Sequence, residues 1–420
     1  MSCVILSPQH PLSSGLTSDS RLVRAYRGER SDTTPVWFMR QAGRSLPEYR
    51  DLRVGTRMLD ACLDPAMASE ITLQPVRRHR VDAGIFFSDI VVPLKLVGVD
   101  VEIQPGRGPV FSKGYADAAA VAELTAIDPA HLDETSGPIT EAVQRTIAEL
   151  NTTAPAGSRD ASDSVGRSST SDGSTPLIGF AGAPFTLAAY LTEGGPSKDH
   201  LAARTLMHAD PGAWRALMQW TAELTGRFLR TQVLAGASAA QLFDSWAGAL
   251  SLADYEAHVA PASARALSFV HDLEYETAGG RVGAQAPYRD PASGLDTLAA
   301  LATRPTAETR AVPVVHFGVG TGELLAAMGG IGVDTVGVDY RVPLDVASAR
   351  VGAGVPLQGN LDPALLAAPW PVLEAAVREV LRRGAVAPAH VFNLGHGVPP
   401  ETDPTVLTRV VELVHEAGAA

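Results

Sequence analysis

The run Pro35-Val36-Trp37-Phe38-Met39-Arg40-Gln41-Ala42-Gly43-Arg44-Ser45-Leu46-Pro47-Glu48-Tyr49-Arg50 begins apolar and breaks into a loop with two arginines four positions apart. Val36–Met39 reads as a strand; Gly43 lets the loop bend and Pro47 stiffens its exit. Guanidinium groups at the mouth of a strand suit the capture of several carboxylates at once. Seven more short apolar runs follow: Ala83–Phe87, Leu177–Gly182, Ala239–Phe243, Val312–Phe317, Thr335–Val338, Val355–Leu357 and His390–Leu394. Several are continuous rather than alternating, which suits strands covered on both faces of a parallel sheet. Helical patterns lie between and after them, among them Pro65 to Arg80, Ala213 to Ala235, Pro371 to Arg383 and Pro404 to Ala417. The alternation predicts an α/β fold, a single (β/α)8 TIM barrel over residues 1–420 with surface loop insertions. A doubly wound open sheet is the runner-up, but no Gly-x-Gly-x-x-Gly follows the first strand.

Two segments interrupt the rhythm. Asn151 to Thr175 is rich in Ser, Gly, Asp and Thr without apolar periodicity, and reads as a flexible surface insertion. Ala278 to Arg310 is also loop-like, with Leu295 to Thr303 a candidate short helix. Strand–helix units resume after both, so neither is a linker between domains.

The composition narrows the function. Hydrophobic residues make up 45% of the chain, ample for a core, and the formal charge of −12 argues against a general nucleic-acid binder. A polyanionic substrate would be repelled by the molecule as a whole, so a local basic cleft would have to reverse the sign. The two cysteines, Cys3 and Cys62, build neither a disulfide framework nor a zinc motif, as befits a reducing cytosol. Met1 to Arg30 lacks the apolar core of a secretory signal, and no apolar run reaches the roughly 18–20 residues that span a bilayer. A soluble cytoplasmic protein is the expectation.

In a parallel barrel the loops after the strands share one face, so polar residues there converge. Arg40 and Arg44 are candidates for carboxylate capture, against the ordinary fate of arginine as a solvated surface residue. Asp89, in Phe86-Phe87-Ser88-Asp89-Ile90, is costly to desolvate without a partner. It is either a helix N-cap or an acceptor for ligand N–H groups and counter-charge to a cation. Tyr190 follows the glycine-rich Gly179–Leu187 stretch, and is a ligand contact or a half-buried packing residue. Asp244 or Ser245 binds a ligand or caps the helix near Leu252. His316, inside an apolar run, reads as a satisfied core histidine, and Asn360 and Asp362 as turn or cap formers. His396, between two glycines, is suited to proton exchange near neutrality or is an exposed loop histidine. No Gly-x-Ser-x-Gly elbow and no cysteine–histidine metal set is visible, so neither metal nor cofactor is expected.

Seven ordered blocks, PVWFMRQAGR, FFSDI, GFAGAPFTL, QLFDSWAG, HFGVGTGELL, QGNLDP and NLGHG, resemble those of the uroporphyrinogen decarboxylase family along nearly the whole chain. The resemblance implies a single barrel, usually a homodimer, and removal of the carboxyl groups from the four acetate arms of uroporphyrinogen without a cofactor. It implies that Arg40 and Arg44 bind carboxylates, one of them supplying a proton. Asp89 would bind the pyrroles, and Tyr190, Ser245 and His396 would contact the arms. Ser45 stands where an aromatic is common and Tyr340 where a tryptophan is common. The same superfamily includes corrinoid-dependent methyl transfer to a thiol, which needs zinc held by cysteine and histidine at strand ends; here His316-Phe317-Gly318 offers no cysteine. A non-catalytic tetrapyrrole-binding barrel is the remaining rival.

Overall fold

The computed structural model describes residues 3–152, 174–277 and 308–418. Seven strands form one all-parallel sheet: Gly84–Ile85 (β1), Leu177–Gly182 (β2), Ala239–Asp244 (β3), Val314–Gly318 (β4), Thr335–Gly337 (β5), Leu357–Leu361 (β6) and His390–Leu394 (β7). Their order in the sheet is their order along the chain, each pairing with its predecessor. Parallel neighbours need a crossover between them, so all seven strands end at one rim. Almost every strand residue is buried, the reason the runs read as continuous. The 25-residue helix Pro211–Ala235 packs against β2 and against the Ala260–His271 helix. Among the described residues no helix is long and apolar enough to cross a membrane.

The first apolar run departs from expectation. Val36–Met39 makes a single parallel bridge, Val36 to Phe392, rather than a ladder. It is nonetheless held on both sides. The Phe392 N–H donates to the Pro35 carbonyl (2.8 Å) and the Trp37 N–H to the Phe392 carbonyl (3.3 Å). On the other flank the Asp82 N–H donates to the Val36 carbonyl (2.8 Å). The Asp82 carboxylate accepts the Val36 N–H and faces the His415 imidazole, each at 2.8 Å, and pairs with Arg21 at 3.4 Å. Asp82 thus clasps the run beside β1 with help from the final helix, Pro404–Gly418.

The strand expected over Val355–Leu357 lies later: β6 runs Leu357–Leu361 and contains the polar Gln358 as well as Asn360, a residue expected to form a turn or cap. The polarity is deceptive because both amides are satisfied inside. The Gln358 Oε1 accepts from the Tyr26 hydroxyl (2.6 Å) and Trp37 Nε1 (3.1 Å), and its Nε2 donates to Gln241 Oε1 (3.1 Å). Asn360 Nδ2 donates to the carbonyls of Asp339 and Val342. Buried polar groups are tolerated when their hydrogen bonds are made.

Two small elements lie outside the main sheet: a hairpin, Val101–Gln104 with Gly108–Phe111, and a three-stranded sheet of Val4–Ile5, Leu273–Glu276 and Thr309–Ala311. Both proposed insertion boundaries therefore shift. Asn151 and Thr152 finish the helix Gly137–Thr152, and Thr309 and Arg310 are strand rather than loop. The rest of the Ser-rich insertion up to residue 173, and the stretch 278–307 with the Leu295 to Thr303 helix, lie outside the described residues.

Replacing Gln358 by Leu should cost about 2–3 kcal/mol, because the Tyr26 hydroxyl, the Trp37 N–H and the Gln241 amide lose their partner together. Urea unfolding of variant and parent would measure it; a loss below about 0.5 kcal/mol would show that the network contributes nothing.

Candidate active site

The rim at the ends of the strands gathers residues distant in sequence. Arg40 lies just past the clasped run, with its backbone in the left-handed region (φ 61°), a conformation that costs a non-glycine residue about 1–3 kcal/mol. Its side chain runs along Gly397, where any Cβ would collide with Arg40 Cδ. Glycine at 397 is therefore a steric requirement of the arginine's path across the loop after β7.

The charge of Arg40 reaches three other candidates. It works against burial at Asp89, whose pKa is raised by desolvation and restrained by the Val91 N–H and by Arg40. It opposes the rise at Tyr190, where desolvation and then the Asp89 carboxylate push the phenol up to about 12. At His396 it acts with burial: desolvation, then Arg40, then Arg341 lower the imidazole, and Asp339 partly offsets them. Arg40, Asp89, Tyr190 and His396 thus share one electrostatic environment although they come from four separate segments. Among the described residues the Asp89 carboxylate accepts one hydrogen bond, from the Val91 N–H (3.1 Å). It is not the N-cap of the short Val92–Leu96 helix, where Val91 holds that position without a side-chain bond.

Ser245 follows the last residue of β3 and is half-buried. It does not cap the next helix, and neither does Asp244; Ser251 does, its hydroxyl accepting from the Asp254 N–H. Beside Ser245 the Trp246 ring lies on Tyr190 (centroids 3.8 Å apart) and stacks on His200 (4.3 Å). Arg44 is exposed on the same loop as Arg40, and its charge is felt at Tyr49, which packs edge-on against Phe87. Among the described residues its guanidinium makes no direct bond to the other five candidates.

Three features of the rim escaped the sequence. Arg341 is a further half-exposed cation, bound to Asp339 and lying over the Tyr340 ring (4.6 Å). Its position in the loop just after the Thr335–Val338 run is the signal the sequence offers. His316 is buried as expected but not satisfied: neither ring nitrogen has a hydrogen-bond partner among the described residues, and Nε2 stands 3.6 Å from Asp244 Oδ2. Asp244 is held from the other side by the Thr186 hydroxyl (2.8 Å), one turn before Tyr190. Cys62, on the Met58–Leu63 helix, lies close enough to Asp89 that, after burial, this carboxylate is the next influence raising its thiol. Asp362 is a cap, as one expectation had it, for the 3-10 helix Pro363–Ala367, whereas Asn360 is a strand residue. Below the rim, Phe180, Phe243 and Phe317 from β2, β3 and β4 meet edge to face (5.4 and 6.0 Å), an apolar floor.

Arginines, one carboxylate, a phenol and an imidazole at the ends of parallel strands define a class: an α/β protein with its polar candidate site on the strand-end rim. The uroporphyrinogen decarboxylase (URO-D) family model matches residues 17–159 and 161–417. A uroporphyrinogen decarboxylase of Leifsonia xyli subsp. xyli is 66% identical over 411 residues, covering 98% of each chain. One from Arthrobacter sp. is 56% identical over 401 residues, covering 96% of this chain and 98% of its own. In fold, a methyltransferase from Methanosarcina mazei superposes with a TM-score of 0.67 at 15% identity, over 94% of this chain and 97% of its own; that likeness concerns architecture alone. The chain belongs to the uroporphyrinogen decarboxylase family.

Removing the Arg40 charge has a defined sign. Arg40→Gln should raise the His396 midpoint toward its ordinary value of 6.5 without reaching it, because burial, the larger cause, remains. NMR titration of the imidazole would read this; an unchanged or lower midpoint would mean that the two groups are not neighbours.

Proposed function

We propose that this chain is a single (β/α)8 domain that converts uroporphyrinogen III to coproporphyrinogen III by turning its four acetate arms into methyl groups. Closure of the sheet is supported by the hydrogen bonds that flank Pro35–Met39 between β7 and Asp82. The activity is supported by family membership and by one observation above the rest: Arg40 acting on Asp89, Tyr190 and His396 together. By the same family likeness, the working form is a homodimer in the cytoplasm.

The chemistry needs an electron sink. A proton added to a pyrrole carbon makes the ring cationic, the bond to the carboxylate breaks, and carbon dioxide leaves. The bonding pair forms an exocyclic double bond that neutralises the ring. A second proton converts the methylene to methyl, and loss of the first restores the pyrrole, for a net uptake of one proton per carbon dioxide released. The substrate does the work that a cofactor does elsewhere, and the protein supplies charge and orientation.

In this scheme Asp89 accepts the pyrrole N–H groups and faces the ring cation. Burial raises its pKa against the Val91 N–H and Arg40, and donors on the substrate would favour its charged form further. Arg40 and Arg44 grip carboxylates, and Arg40, whose charge reaches Asp89, is the one we assign to proton delivery. The Tyr190 phenol, pushed up to about 12, stays protonated and donates. His396, lowered, stays neutral near pH 7 and orients an arm with Ser245.

Anaerobic incubation with uroporphyrinogen, followed by chromatography, should show products with seven, six, five and four carboxyl groups. Asp89→Ala should keep its circular dichroism spectrum and lose turnover by about 10²–10³-fold or more. Near-normal turnover by folded Asp89→Ala would remove Asp89 from the mechanism, and no products from the parent would sink the activity itself.

A further inference from the structure

Outside the rim, His208, Asp254 and His258 each offer one donor atom, the three atoms lying within 4.8 Å of one another. The His208 Nε2 and Asp254 Oδ1 are 3.4 Å apart, and the two imidazoles meet nearly at right angles with centroids 5.9 Å apart. Asp254 and His258 sit four residues apart on the Leu252–His258 helix, so they share one face. His208 comes from the last turn of the Leu201–Ala209 helix. The cluster's backbone is anchored: the Ser251 hydroxyl holds the Asp254 N–H, and the His258 carbonyl accepts from Trp214 Nε1 (3.2 Å).

Ligand atoms bound to zinc at about 2.0–2.1 Å in a tetrahedron lie roughly 3.3 Å from each other. The His208–Asp254 pair already has that spacing, and a modest side-chain rotation would bring in His258. Two imidazoles and one carboxylate select a borderline cation such as Zn2+ over Mg2+ or Ca2+, and leave a fourth position for water. We propose that His208, Asp254 and His258 form a Zn2+ site separate from the catalytic rim. Its place in the fold gives it a consequence. The Leu201–Ala209 helix starts directly after His200, which stacks on Trp246, and the Leu252–His258 helix follows the Ser245–Trp246 turn. An ion between these helices ties together the two excursions, after β2 and after β3, that carry Tyr190 and Ser245.

The test uses the full-length protein freed of metal by a chelator and then dialysed. Calorimetric titration with ZnCl2 should show one equivalent bound, MgCl2 should show none, and Zn2+ should raise the Tm. His208→Ala and His258→Ala, with unchanged circular dichroism in the metal-free state, should each bind Zn2+ at least about tenfold more weakly and lose the Tm rise. Co2+ should give the visible absorption of a tetrahedral site in the parent and not in the variants. Absence of binding by the parent, or Zn2+ binding that both variants retain in full, would overturn the assignment. None of these readouts depends on decarboxylation.

Discussion

The Asp82 carboxylate takes the Val36 N–H and faces the His415 imidazole, while its own N–H returns to the Val36 carbonyl. Phe392 completes the hold from the opposite side. A run with only one strand bridge would otherwise be a loop, and Arg40 would swing with it. Held there, Arg40 enters the left-handed region at its exit and lies along Gly397. Burial sets the direction of the shifts at Asp89, Tyr190 and His396, and from that placement the Arg40 charge opposes the first two and adds to the third.

That local cation also answers the problem of the chain's net charge. At −12 the molecule as a whole disfavours an anionic ligand. At the rim Arg40 and Arg44 are exposed, as is Arg341 despite its pairing with Asp339, while many arginines elsewhere are engaged in surface pairs, such as Arg77 with Glu70 and Glu149 or Arg382 with Glu379. Surface pairs of that kind contribute little to stability. Their effect here is to neutralise cations away from the cleft.

Much of this was legible beforehand. The strands β2 and β7 coincide with their apolar runs because burial on both faces writes itself as an unbroken hydrophobic stretch. Asp89 stood out because a carboxylate among phenylalanines is expensive. Other features lay beyond a local pattern. Gln358 and Asn360 look like loop residues until Tyr26, Trp37 and the Asp339 carbonyl are known to face them. Nothing in the sequence around His316 shows that Asp244 lies 3.6 Å away, or that its two nitrogens find no partner among the described residues. That the Arg44 charge acts on Tyr49 is likewise invisible, since four residues of spacing do not say which way a loop turns.

The Met39 N–H donates to the Asn393 side chain across 354 positions of sequence. During synthesis the first apolar run leaves the ribosome long before its partner strand exists, and the helix bearing His415 comes later still. The cleft is therefore among the last features a nascent chain can assemble. Until then Trp37 and Phe38, fully buried in the finished molecule, lack their final neighbours, a period in which a chaperone has something apolar to hold.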